Sequence, residues 1–232
     1  MKYLLSATFF VSIIGAFPQE FPKLQFEAYS KADRVLWVQS IAQASSRYGE
    51  VSLEKALACY GLLNNTFYSM DQETFEENIE DAIQLLKKLQ KKNEHHAEAK
   101  ALLSSLYSFW IGYDPEKIKT LSAEGSQLLI EAYEGDSLSP IVLNTIGDNK
   151  LYAPVEAGGE PELAFTYYSK AVYSYEQEST KSNWMYVKTL LGLAAAQQKT
   201  KRRKEAMLTL NKVLVVIPNH PWALSMKKDL SE

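Results

Sequence analysis

Apolar residues recur at steps of three and four along almost the whole chain after residue 24. The clearest segment is "TFEENIEDAIQLLKKLQKKN", where Phe75, Ile79, Ile83 and Leu86 fall on one face of a helix. Acidic residues occupy its first turns and lysines its last turns, an order that complements the helix dipole. No stretch shows sustained alternation of apolar and polar residues, so no strand is predicted. The pattern therefore predicts an all-α protein.

Breaks in this periodicity divide the chain into about ten helices with short connections, as expected where antiparallel helices are neighbours. Pro115, Pro140, Pro161 and Pro221 mark helix starts, where the missing N–H of proline costs little. The predicted helices span residues 26–47, 52–69, 72–92, 97–112, 115–135, 139–153, 160–178, 184–199, 201–217 and 221–230.

The second helix of each predicted hairpin carries the same motif. A small residue is followed four positions later by a large apolar residue, and three positions further by another apolar one. The small residues are Ala82, Gly125, Ala164 and Ala206, separated by 43, 39 and 42 positions. A small side chain lets two helices approach closely, and such a hairpin buries its apolar face by stacking on the next one. Ala164 and Ala206 are therefore predicted to be buried at helix crossings.

This pattern resembles the tetratricopeptide repeat (TPR). The resemblance is clearest in "LLGLAAAQQKTKRRKEAMLTLNKVLVVIPNHPWA", where Ala206, Leu210, Val213 and Pro218 follow at the spacing of the family. It implies a right-handed superhelical stack of antiparallel helix hairpins, a TPR-like α-solenoid whose concave side is lined by the first helix of each hairpin. The repeat is about 41 residues here, longer than the 34 of the family.

The segment from Glu98 to Pro218 is also similar to a group of exported bacterial repeat proteins. The similar features are the Asp114-Pro115 and Ser139-Pro140 turns and a loop with Pro154 and the Gly158-Gly159 pair. A phosphate-binding glycine loop would follow a strand, whereas this pair follows a predicted helix and has acidic neighbours. Acids would repel a phosphate, so the glycine pair is interpreted as a turn between helices.

The first sixteen residues differ from the rest of the chain. Lys2 precedes the run "YLLSATFFVSIIGA", which is too short to cross a bilayer comfortably, and Ala16 provides an acceptable cleavage site. We interpret residues 1–16 as a secretory signal peptide; a buried N-terminal helix is the alternative. No cysteine lies near the cleavage point, so a lipoprotein anchor is excluded. The mature chain, residues 17–232, is predicted to be one helical repeat domain, periplasmic or secreted, with no integral membrane segment after cleavage.

Charge and reactive side chains narrow the possible functions. The net charge of −3 and the export signal both disfavour nucleic acid as a partner. Cys59 is the only cysteine, which excludes an intrachain disulfide and predicts a buried, inert thiol. Adjacent histidines in "EHHAE", residues 94–98, diverge on a helix, so no metal site is predicted. The basic run Lys199–Lys204 is interpreted as a solvated turn, with contact to an anionic partner as the alternative.

The predicted ligand site combines the first helices of two successive hairpins, which the resemblance places on the concave side. In helix 139–153, Leu143, Gly147 and Leu151 repeat every four residues and should pack inward with Ile146. Asn144, Asp148 and Tyr152 form a neighbouring stripe that is polar or amphipathic. Helix 184–199 offers a matching polar position at Lys188. These four residues are the candidate ligand-binding set. A plain solvated helix face is the alternative interpretation of the stripe.

No grouping of Ser, His and Asp with local support appears, so no catalytic residue and no cofactor are predicted. We expect a non-enzymatic TPR-like scaffold whose concave face binds a protein, a peptide or a small exported ligand. The first alternative is an accessory TPR subunit of a periplasmic solute-uptake transporter, and the second is a hydrolase on a helical scaffold. The oligomeric state is left open.

Overall fold

The computed structural model describes residues 20–92, 94–177 and 180–231, so the predicted signal peptide lies outside the described residues. The described ranges contain eleven α-helices, two short 3₁₀ turns and no strand. The helices are α1 Glu20–Lys31, α2 Arg34–Tyr48, α3 Leu53–Ser69, α4 Gln72–Leu89, α5 His96–Tyr113, α6 Ile118–Gly135, α7 Pro140–Tyr152, α8 Pro161–Glu176, α9 Trp184–Lys199, α10 Arg203–Val216 and α11 Pro221–Asp229. The prediction of an all-α protein is confirmed.

The helix predicted over residues 26–47 is in fact two helices, α1 and α2. Ala32 adopts a positive φ of 49°, which ends α1. The Asp33 carboxylate then accepts hydrogen bonds from the backbone N–H groups of Val35 (2.8 Å) and Leu36 (3.2 Å). Such a side-chain cap satisfies amides that have no partner inside a helix, and it starts α2. Continuous apolar periodicity concealed this break.

The helices stack in two layers. The inner helices α3, α5, α7 and α9 pack against one another in sequence, and each also packs on the outer helix that follows it, α4, α6, α8 or α10. Helices α1 and α2 extend the stack at its N-terminal end, and α11 packs on α10. The expected stack of helix hairpins is thereby confirmed, while its handedness stays a prediction.

The inner layer closes on itself, because α1 contacts both α3 and α9. On α1, the side chain of Gln25 donates to the backbone carbonyl of Glu54 (3.2 Å) and accepts from the indole N–H of Trp184 on α9 (3.0 Å). The Trp184 ring lies edge-on to Trp37 (5.1 Å between centroids) and 5.4 Å from the ring of Tyr29. Helix α1 therefore bridges the first and the last of the inner helices, α3 and α9.

The repeat motif and the glycine pair both have the predicted structural roles. Ala164 and Ala206 are fully buried, as their motif position predicts. Residues 155–157 form a 3₁₀ turn between α7 and α8, and Gly158 follows with a φ of 89°. A Cβ at Gly159 would lie 2.0 Å from the carbonyl oxygen of Ala153, so only glycine fits there. The glycine pair is a turn between helices.

Candidate functional site

The site is built around the carboxylate of Asp148 on α7. This carboxylate accepts hydrogen bonds from the ammonium of Lys188 on α9 (2.5 Å), the hydroxyl of Tyr168 on α8 (2.6 Å) and the side-chain amide of Asn144 (3.1 Å). Three consecutive helices thus converge on one acidic group. Hydrogen bonds to an ionised acceptor are the stronger kind, so this arrangement fixes the relative positions of α7, α8 and α9.

Asn144 is fully buried, and both polar ends of its amide have partners. Its nitrogen donates to Asp148, and its oxygen accepts from the hydroxyl of Thr189 on α9 (2.9 Å). Four-residue spacing on α7 placed Asn144 and Asp148 on one face, as predicted. The alternative of a plain solvated face is wrong for Asn144, because that residue joins two inner helices.

Lys188 is only 8 % exposed, so its charge is largely removed from water. Burial disfavours the ammonium form, but Asp148 together with Tyr60 and Tyr68 outweighs burial and raises the pKa of Lys188 well above its ordinary value. The side chain therefore carries its positive charge at neutral pH. An ammonium has three N–H donors, and those of Lys188 interact with the Asp148 carboxylate and with the hydroxyl of Tyr60.

Two glycines make room for the ring of Tyr168. A Cβ at Gly147 on α7 would lie 2.8 Å from this ring, and a Cβ at Gly192 on α9 would lie 2.5 Å from it. Burial, followed by the nearby Asp148 carboxylate, raises the pKa of Tyr168 well above its ordinary value. Its phenol therefore keeps its proton and donates it to Asp148 in a hydrogen bond.

Further tyrosines come from distant parts of the chain. The hydroxyls of Tyr29 on α1, Tyr60 and Tyr68 on α3 and Tyr152 on α7 are close enough to Lys188 for its charge to act on all four. Desolvation nevertheless dominates, and it raises the pKa of each phenol. We call the group formed by these four tyrosines and Tyr168 the tyrosine cleft.

Solvent reaches the tyrosine cleft through two of its members. Tyr68 is 58 % exposed and Tyr152 is 50 % exposed. Protein nevertheless surrounds them closely enough that desolvation raises the pKa of Tyr68 to about 12 and also raises that of Tyr152. The two rings are therefore accessible to solvent, while protein shields their hydroxyls in part. Tyr68 and Tyr152 thus form an accessible wall beside a buried charge pair.

Aromatic rings continue around this wall. Tyr68 lies 6.2 Å from the partly exposed Trp222 of α11. Phe67 lies 5.8 Å from Tyr68, and the ring of Phe109 on α5 stacks on Phe67 (4.9 Å) and on Tyr60 (5.7 Å). The exposed rings of Tyr68 and Trp222 offer broad, rigid contact area for a ligand.

The structure brings Asn144, Asp148 and Lys188 into one hydrogen-bonded group, and it places Tyr152 one turn further along α7. The ring of Tyr152 lies 5.8 Å from the ammonium of Lys199, which donates to the carbonyl of Leu151 (2.9 Å). The inward packing predicted for Leu143, Ile146, Gly147 and Leu151 is confirmed. Whether the four candidate residues bind a ligand stays a prediction.

Sequence reasoning missed Tyr29, Tyr60, Tyr68 and Tyr168 as members of the site. No local signal marks the first three, because they lie on α1 and α3, far along the chain from α7 and α9. Tyr168 did have a signal, since Gly147 interrupts the apolar stripe at a position facing it. In the described ranges no group of three or more His, Cys, Asp or Glu residues could hold a metal ion, and no helix could span a membrane.

Comparison with known proteins identifies the architecture and not a family. The sequence matches no known protein family, and no curated protein matches it. Among solved structures, the HusA haemophore from Porphyromonas gingivalis is similar, with a TM-score of 0.57 and 18 % sequence identity. The match covers 80 % of this chain and 95 % of that one. At this identity the likeness shows a shared helical-repeat-like fold, and the tetratricopeptide family itself stays a prediction.

Proposed function

We propose that this chain is a non-enzymatic, exported binding protein whose ligand occupies the tyrosine cleft. The observation that carries the proposal is the buried pair of Lys188 and Asp148 beside the accessible rings of Tyr68 and Tyr152. A buried ion pair is a weak source of stability, since desolvating the charges offsets most of their attraction. Converging polar groups within an accessible aromatic wall are typical of a ligand site.

The side chains favour a flat aromatic ligand that carries an acidic group. Aromatic rings from α3, α7 and α11 offer stacking surfaces, and the positive charge of Lys188 suits a carboxylate. Haem has both properties, because its ring is planar and its edge bears two carboxylates. The likeness to a haemophore supports haem as the first ligand to test.

A protein or peptide partner, the expectation from the TPR resemblance, has weaker support. A long peptide or a protein segment would have to follow the inner helices, and α1 lies across two of them, α3 and α9. The TPR-like scaffold and the periplasmic or extracellular location remain part of the proposal. The role of accessory subunit in solute uptake stays an alternative, since such a subunit would use the same ligand site.

Haem titration of the purified protein tests the proposal, with quenching of tryptophan fluorescence as the signal. Trp222 lies beside Tyr68 and should report occupancy directly. Tyr68→Ala and Tyr152→Ala should each weaken binding roughly tenfold, because each removes an accessible stacking surface worth about 1–1.5 kcal/mol.

Tyr173→Ala is the matched control, since Tyr173 is an exposed tyrosine on the outer helix α8. This variant should bind haem as the wild type does. Absence of saturable binding, or equal weakening by Tyr173→Ala and by the two cleft variants, would contradict the proposal.

A further inference from the structure

A second cleft lies between α2 and α4, and α3 forms its floor. Its volume is about 310 Å³, and we call it the α4 cleft. Cys59, Leu62 and Leu85 supply an apolar floor. Cys59 was predicted to be buried, but it is only partly buried and lines this cleft. The volume is at the lower end of the range for small-molecule sites.

Charged groups of both signs stand at the edge of the α4 cleft. At one end of the cleft, Lys55 is already paired with Glu50. Asp81 and Lys88 on α4 are exposed, and within the described part of the chain their side chains form no ion pair or hydrogen bond. The cleft therefore offers one unpaired carboxylate and one unpaired ammonium above an apolar floor.

The spacing of these two charges limits the ligand. Asp81 and Lys88 are seven residues apart, so they lie on one face of α4 about 10.5 Å apart along its axis. An extended peptide of two or three residues spans roughly 7–10 Å. Its ammonium and carboxylate ends have the complementary signs. Gln84 lies between the two charges and adds an amide that can both donate to and accept from a peptide bond.

We propose that the α4 cleft binds a di- or tripeptide with free termini. The peptide ammonium pairs with Asp81, its carboxylate pairs with Lys88, and an apolar side chain rests on Leu62 and Leu85. A simple anion or cation would leave one of the two charges without a partner. This site lies on different residues from the tyrosine cleft, and the inference does not rest on the function proposed there.

Cys59 provides the readout, because it is the only cysteine of the chain and lines the cleft. Burial raises the pKa of its thiol to about 11, so alkylation by iodoacetamide is slow enough to follow by intact mass. The probe is the dipeptide Leu-Leu, which should slow alkylation in a saturable way at millimolar concentration. Acetylating its amino end or amidating its carboxyl end should each weaken this protection about fivefold, as expected for exposed ion pairs.

Two variants assign each peptide end to its partner. Asp81→Asn should weaken protection by Leu-Leu to the level of the acetylated peptide and leave protection by the acetylated peptide unchanged. Lys88→Gln should weaken protection by Leu-Leu to the level of the amidated peptide and leave protection by the amidated peptide unchanged. Glu77→Gln, an exposed change elsewhere on α4, should alter nothing. The proposal is overturned if Leu-Leu gives no protection, or if free and capped peptides protect Cys59 equally.

Discussion

One ion pair joins α7 to α9 and another joins α8 to the start of α10, and their surroundings differ sharply. Inside the stack, Lys188 and Asp148 lie 2.5 Å apart, with side chains 9 % and 21 % exposed. On the outside, Arg202 and Glu162 lie 2.9 Å apart, with side chains 29 % and 59 % exposed. Arg202 also lies over the ring of Phe165, 4.3 Å from its centroid.

The comparison separates a contact screened by solvent from one that is largely desolvated. Water and salt screen the outer pair, so Arg202 and Glu162 help to define the turn before α10 and add little stability. The inner pair has lost most of its hydration, and each of its charges depends on the other. A chain under selection for stability alone has no need of such a pair. Its place beside accessible aromatic rings supports the ligand site proposed above.

The largest effect is expected from Lys188→Met. Removing the ammonium leaves the Asp148 carboxylate desolvated, which should cost about 3–5 kcal/mol of unfolding free energy. Urea denaturation followed by circular dichroism measures this loss. The double variant Lys188→Met with Asp148→Asn should recover most of it, because no uncompensated charge remains. If the single variant is as stable as the wild type, the pair is not buried as described.

A smaller loss is expected from Gly192→Ala. The new Cβ would lie 2.5 Å from the Tyr168 ring, which is fixed between two helices, so overpacking should cost about 1–3 kcal/mol. Gly125→Ala is the matched control in a helix of the same stack. Its Cβ would meet no atom closer than 3.7 Å, so this change should leave stability unchanged or raise it. Equal destabilisation by both changes would contradict the packing described for Tyr168.

The smallest effect is expected from Arg202→Gln, which should leave the melting temperature nearly unchanged at physiological salt. The hydrogen bond from Arg202 lowers the pKa of Glu162. A carboxylate with a lowered pKa contributes stability above its ordinary pKa, and that contribution is lost as pH falls through the lowered value. Any difference in melting temperature between the wild type and Arg202→Gln should therefore shrink as the pH is lowered. A difference in melting temperature that grows as the pH is lowered would show that the ion pair of Arg202 and Glu162 does not cause it.

Sequence periodicity could predict those parts of the site that lie within one helix. Asn144 and Asp148 share a face of α7 through four-residue spacing, and Lys188 follows on the next inner helix. The break at Asp33 was missed, because one capping side chain overrides an unbroken apolar pattern. Tyr29 could not be placed at all, since its position depends on α1 closing against α9. Such a contact between distant segments leaves no periodic trace.

The central claim is that the tyrosine cleft binds a flat ligand through its rings and an acidic group through Lys188. The most direct test compares the dissociation constants of haem and haem dimethyl ester for the wild-type protein, measured by absorbance titration. The ester keeps the aromatic ring and loses both negative charges. We expect saturable haem binding and an affinity for the ester at least about tenfold weaker, the loss of one charge-assisted contact. Equal affinity for both ligands, or no saturable binding of haem, would contradict the account.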